Sequence, residues 1–272
     1  MGKSRGLKNA GGVYPGRLNQ ADFNEMIHTA GTLPLRRDFV TLLTYVRESR
    51  VVGTQSTGNM QLKSVREVTA RFVEPPVLDT EIGNRIYRLR SEEDVWPLYF
   101  LHILAEVGGL LKTPRAKQWR LTRMGVNFLD LNAMQQVVYL LNTWWYQVNW
   151  LVAYPVQGLG DNLPPGFQSI TLSRLDALPV GNAVKFESFA SGLIKGTNLT
   201  WSSQNLDYAP QLLQGSIERI VVKILRQFGM LETEYTEKPL GTGTTQELET
   251  FKINRFGKEL LGSLKLMGAG LI

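Results

Sequence analysis

The eleven residues WRLTRMGVNFL at positions 119–129 return as FKINRFGKELL at positions 251–261, and this recurrence limits the possible folds more than any other feature of the chain. Aligned, both copies run aromatic, basic, aliphatic, polar, arginine, apolar, glycine, two free positions and an apolar pair. Each also follows a matching apolar segment, ILAEVGGLL at 103–111 and ILRQFGML at 224–231. A chain that repeats a pattern in this way is expected to carry one structural unit twice.

The length of 272 residues allows two such units, and 43% hydrophobic against 20% charged residues supplies enough apolar side chains for their cores. Cysteine is absent, which excludes disulfides, thiolate metal sites and thiol catalysis, and fits a cytoplasmic protein. Residues 1–32 read as a flexible basic segment without the apolar core of a signal peptide. The one long uncharged interval, 131–160, is broken by Gln135, Gln136, Asn142, Gln147 and Asn149, so no membrane span is expected.

Within 33–130, Phe39, Leu42, Leu43 and Val46 fall at helical spacing after Asp38. Two β-branched residues at 51–52 and a Gly58–Asn59 turn then lead to a second helix with Leu62, Val65, Val68 and Phe72. Residues 75–94 form a loop or hairpin insertion. A strongly apolar third helix follows, with Pro97 in its first turn, stopped by Gly108 and Gly109. LLKTPRAKQWRLT then predicts a hairpin in which Trp119 and Leu121 alternate with Arg120 and Thr122, and RMGVNFLDL a closing helix. Helix, strand, helix, helix, hairpin, helix is the winged-helix order.

Residues 166–272 follow the same plan: SITLSRLDALP, AVKFESFASGLI and LLQGSIERIVVKILRQFG supply the strand and three helices. MLETEY and LETFKIN supply the wing strands around a glycine-rich tip, KPLGTGTTQ, and RFGKELLGSLKL closes the module. Gly125 and Gly257 are expected to permit close packing or an unusual backbone angle. Residues 131–165 form a linking apolar helix and loop, whose YLLNTWWYQVNW fills the seam between modules or forms a dimer surface. The expected fold class is therefore mainly α with small β-hairpins (α+β), two tandem winged-helix modules joined by a tryptophan-rich helix. This tandem plan, with TQSTGNMQLKSVREV at 54–68, LPVGNAVKFESFASGLI at 178–194 and a tryptophan-bearing helix behind the first wing, resembles the helicase-associated modules of bacterial XPB-type helicases. The chain has no phosphate-binding loop, so the resemblance implies no ATPase activity.

Catalytic groups are scarce, and the chain is read as a non-enzyme without cofactor or metal. Its histidines are His28 and His102, the latter among Leu101, Ile103 and Leu104 as a packed core residue would be. Glu92, Glu93 and Asp94 suit a helix N-terminus. Glu232, Glu234 and Glu237 have the strand spacing of a solvated wing face.

Charge is divided unevenly. Residues 1–123 hold 19 Lys and Arg against 12 Asp and Glu, whereas 124–272 hold 11 against 12. The first wing carries Lys112, Arg115, Lys117, Arg120 and Arg123 with no acid between them. These five are candidate phosphate ligands, or else a solubilising basic loop around an inward Trp119. The apolar third helix of the first module is unsuited to base reading. In the second, Arg219, Lys223 and Arg226 share a helix face as secondary candidates, although its wing is acidic. Two functions follow: a non-catalytic nucleic-acid-binding protein gripping the backbone of duplex DNA, or a winged-helix module that binds a protein partner in a larger assembly.

Overall fold

The computed structural model describes residues 19–83, 85–156, 158–202, 206–240 and 243–270. The expectation for residues 1–18 lies outside the described residues, but the rest of the supposed flexible segment is helical. Helix α1 (Gln20–Thr32) begins where the Asn19 side chain accepts the Asp22 N–H, and it buries Met26 and Ala30. With the partly buried Phe23 and Ile27 they complete an apolar stripe at helical spacing, and Arg255 pairs with Asp22 at 2.5 Å to tie the helix to the C-terminal part of the chain.

Helix α2 (Pro34–Glu48) starts on its proline and buries Phe39, Leu42, Leu43 and Val46, as their spacing predicts. Helix α3 (Leu62–Thr69) buries Val65 and Val68 but leaves Leu62 partly exposed. The insertion forms a small hairpin, β1 (Thr80–Ile82) and β2 (Arg85–Tyr87). A 3-10 turn (Glu92–Asp94) closed by a Ser91 capping box then leads into α4 (Trp96–Val107), with Pro97 in its first turn. Strands β3 (Leu111–Lys112) and β4 (Arg120–Leu121) form the first hairpin, and α5 (Arg123–Leu129) closes this half.

Helices α6 (Ala133–Tyr146) and α7 (Trp150–Ala153) link it to α8 (Phe167–Asp176), β5 (Val184–Lys185) and α9 (Phe186–Thr197). The next helix runs as α10 (Ala209–Ile217), a π-helical turn (Glu218–Val222) and α11 (Lys223–Gln227). Strands β6 (Leu231–Leu240) and β7 (Gly243–Ile253) make a hairpin much longer than MLETEY and LETFKIN predict, followed by α12 (Arg255–Gly268). The strands run on through Pro239, opposite Thr244. Sheet order β5-β7-β6 puts β6 at an edge, where the missing N–H of a proline costs least. The fold is thus mainly α with small antiparallel sheets.

The same order, helix, short strand, two helices and hairpin, occurs in both halves. In the second, β5 pairs with the returning strand β7; in the first, Val52 bridges Gln118 just ahead of β4. The recurring sequence marks the same local construction. The Thr122 hydroxyl accepts the Gly125 N–H at 3.0 Å and donates to the Gly109 carbonyl at 2.7 Å. The Asn254 amide accepts the Gly257 N–H at 2.7 Å and donates to the Gly229 carbonyl at 2.9 Å. The backbone N–H of Thr122 reaches Leu110 O at 3.0 Å, and that of Asn254 reaches Met230 O at 3.2 Å. A polar residue in the repeat caps the closing helix, and the glycine three positions later lets that helix press against the hairpin.

One continuous apolar core joins the halves, and the tryptophans of the linking region lie inside it. Trp144 and Trp150 stack at 5.1 Å, Trp145 meets Trp150 edge-on at 5.0 Å, and Trp150 meets Phe167 of α8 at 6.2 Å. Their burial leaves none of the three for a dimer surface. At the far side of α8, Asp176 binds Lys265 at 2.7 Å and tethers α12. The Lys265 hydrogen bond holds the Asp176 carboxyl below the usual carboxylate range, so this tether contributes stability at neutral pH and loses it as pH falls through the lowered value. Among the described residues, no helix is long and apolar enough to cross a membrane.

Candidate nucleic-acid interface

The first hairpin is short in strand but firmly seated. Trp119 is fully buried, and its indole N–H donates to Gly58 O at 3.0 Å. Around it, Gly53 N–H reaches Lys117 O, Ala116 N–H reaches Thr54 O and Trp119 N–H reaches Val51 O, all within about 3 Å. A Cβ on Gly53 would fall 2.6 Å from the carbonyls of both Gly58 and Pro114, so only glycine lets the loop at 53–60 lie this close to the hairpin. The inward Trp119 is the foundation, and the charged residues between its anchors are turned outward.

Lys112, Arg115, Lys117, Arg120 and Arg123 are all exposed, and none forms an ion pair among the described residues. Lys112, Lys117 and Arg120 line one concavity together with Arg50, floored by Val52, Pro114 and Gln118. Lys112 and Arg120 are direct cross-strand partners, an arrangement that like charges destabilise. Four cations and no carboxylate line this depression. Arg115 and Arg123 stay outside this depression. Arg50 was missed in the sequence because it is distant along the chain. Its signal is a basic residue placed just before the 51–53 segment that pairs with the hairpin.

The second set does not join the first. Arg219, Lys223 and Arg226 are exposed while the residues between them are buried, so they lie on the solvent side of a helix that passes through a π-helical turn at Glu218–Val222. Arg219 lies 5.7 Å from the Tyr154 ring, and Lys223 pairs with Glu218 at 3.3 Å. Lys223 and Arg226 line a cleft against α2 and α4, where Asp38 and Glu74 also lie. Burial is the main influence on Asp38 and raises its carboxyl above the usual range. This mixed-charge seam is a poor phosphate site. The second hairpin also neutralises itself in part, through Glu232–Lys252 at 3.1 Å and Lys238–Glu247 at 2.5 Å.

His102 is buried, as its apolar neighbours predict, but it has a polar partner that they do not reveal. Its Nδ1 donates to Glu92 Oε1 at 2.7 Å, while Glu92 Oε2 accepts the Met60 N–H. Glu92 stands at a helix start, as its sequence suggests, but it is fully buried there. The imidazole lies 4.4 Å from the Trp119 ring, so this pair supports the hairpin from beneath. Replacing His102 with Leu strands the Glu92 carboxylate in the core, and a urea titration is expected to show a loss of about 3 kcal/mol. A loss below about 0.5 kcal/mol would mean that the pair holds nothing in place. Among the described residues, no group of three or more His, Cys, Asp or Glu could hold a metal ion.

No family model matches this chain, and no curated protein matches it. Among solved structures it is similar to the restriction endonuclease FokI bound to DNA, with 13% identity and a TM-score of 0.32. The match covers 91% of this chain and 44% of that one, so this chain spans less than half of that structure's length.

Proposed function

We propose that the chain is a non-catalytic nucleic-acid-binding protein, built from two winged-helix modules at residues 33–130 and 166–272, that holds the phosphate backbone of duplex DNA with its first hairpin. The observation that carries this reading is the acid-free concavity of Arg50, Lys112, Lys117 and Arg120, with Lys112 and Arg120 directly opposed across the hairpin. Such a site is costly to maintain empty and gains when an anion enters. Basic hairpin residues contact phosphates without reading bases, so binding is expected to be strong at low salt and weakly dependent on sequence. Arg115 and Arg123 lie beside the depression in sequence and extend the positive surface. Arg219, Lys223 and Arg226 take at most a secondary part.

A salt titration of binding to duplex DNA tests the reading. Three phosphate contacts predict a log–log slope of about −2.7 or steeper. Absence of binding at low salt, or a slope near zero, favours the alternative of a protein-interaction module in a larger assembly.

A further inference from the structure

The β1–β2 hairpin inserted between α3 and α4 displays its side chains instead of burying them. Thr80, Glu81, Arg85, Ile86, Tyr87 and Arg88 are all exposed, with Ile86 62% and Tyr87 50% accessible. A two-stranded ribbon with exposed side chains is marginal in water, and among the described residues the side-chain hydrogen bonds that hold this one lie at its base. There Asp79 accepts two guanidinium N–H groups of Arg66, at 3.0 and 2.9 Å, and the Leu89 N–H at 3.0 Å. The base is therefore neutralised and rigid. On the ribbon, Arg85 and Arg88 form no ion pair among the described residues, and Arg88 lies near enough to Asp79 to help the Arg66 hydrogen bonds lower its carboxyl.

We propose that this hairpin is a second DNA-contacting element, a β-ribbon that enters the major groove beside the backbone held by the first hairpin; the inference rests on the duplex-binding reading above. Side chains alternate across a strand, so Arg85 and Tyr87 share one face while Ile86 and Arg88 share the other. The face of Arg85 and Tyr87, which Thr80 shares, pairs a cation for phosphate with an apolar group for base edges and thymine methyls, while the other face carries Glu81 opposite Ile86. Two strands about 4.8 Å apart, with their side chains, span roughly 10–12 Å. That width matches a major groove of about 12 Å and exceeds a minor groove of about 6 Å. Both DNA-contacting elements are also mounted on α3. The loop before it carries the first hairpin through Gly53 and Gly58, and Arg66 within it anchors the ribbon.

The test uses the full chain, a short duplex and two double variants, Arg85→Ala with Arg88→Ala and Ile86→Ala with Tyr87→Ala. Thermal melts verify that each retains its fold, as substitutions on an exposed ribbon should. The arginine variant is expected to flatten the salt slope by about 1.8. The apolar variant is expected to lose affinity about 5-fold or more at unchanged slope. On a duplex whose major groove is filled by glucosylated hydroxymethylcytosine, the wild-type chain should fall to the level of the variants, and the variants should change little. If both variants bind the unmodified duplex with wild-type affinity and slope, the ribbon is not an interface, although backbone binding by the first hairpin stands. If the wild-type chain fails to bind duplex at any salt concentration, both proposals fall together.

Discussion

Gly125→Ala and Gly257→Ala are each expected to destabilise the protein by about 3 kcal/mol in chemical denaturation, far more than an ordinary glycine replacement in a helix. A Cβ at 125 would lie 2.2 Å from Leu110 O, and one at 257 would lie 2.3 Å from Met230 O. Those carbonyls cannot simply move aside, because each accepts the backbone N–H of the residue that caps the closing helix, Thr122 or Asn254. Relieving the clash therefore breaks a backbone hydrogen bond and tilts α5 or α12 away from its hairpin. Gly262→Ala, in the interior of α12 with nothing within 4 Å of the added methyl, provides the control. It should be neutral or stabilising by up to about 1 kcal/mol. Equal effects at 257 and 262 would show that the recurring glycine has no packing role.

Trp150→Ala is expected to cost about 3–5 kcal/mol, the range for removing a large buried aromatic. Trp150 touches Trp144 and Trp145 on α6 and Phe167 on α8, and its indole N–H donates to Trp144 O at 2.8 Å. It is thus a joint between the halves as well as a core residue. Wild-type protein should unfold in a single transition, and the variant should either unfold at lower denaturant or separate into two transitions as the halves uncouple. A variant that retains wild-type stability would mean that the seam is held elsewhere. The indole nitrogens of Trp144 and Trp145 are buried and have no protein hydrogen-bond partner among the described residues.

Features dictated by short-range rules were legible in the sequence. The Pro97 start of α4, the buried stripe of α2 and the recurring polar-to-glycine spacing at 122–125 and 254–257 all depend on residues within a turn of one another, although the capping role of Thr122 and Asn254 did not show in the sequence. Elements decided by tertiary contact were not. Helix α1 is a different case: Phe23, Met26, Ile27 and Ala30 stand at i, i+3, i+4 and i+7, an amphipathic signal present within the segment read as flexible. The length of β6 and β7 follows from one strand supporting the other across a register that includes Pro239. For the candidate site, the basic run from Lys112 to Arg123 was visible, but its division between depression and margin was not. Arg50 joins it only through the pairing of Val52 with Gln118. The exposed face shared by Arg219, Lys223 and Arg226 was legible from their spacing, but the partners that occupy it, Tyr154 and Glu218, were not.

The claim that the first hairpin grips phosphate is tested most directly by comparing the salt dependence of duplex binding in wild-type protein and in a variant carrying Arg50→Ala, Lys112→Ala and Lys117→Ala. All three side chains are exposed, so the fold should persist, and loss of the unfavourable pairing of Lys112 with Arg120 should leave stability unchanged or slightly raised. The predicted result is weaker binding, uniform across sequences, with the log–log slope flattened by about 2.7 for three lost contacts. Wild-type affinity and slope in the folded variant would contradict the account.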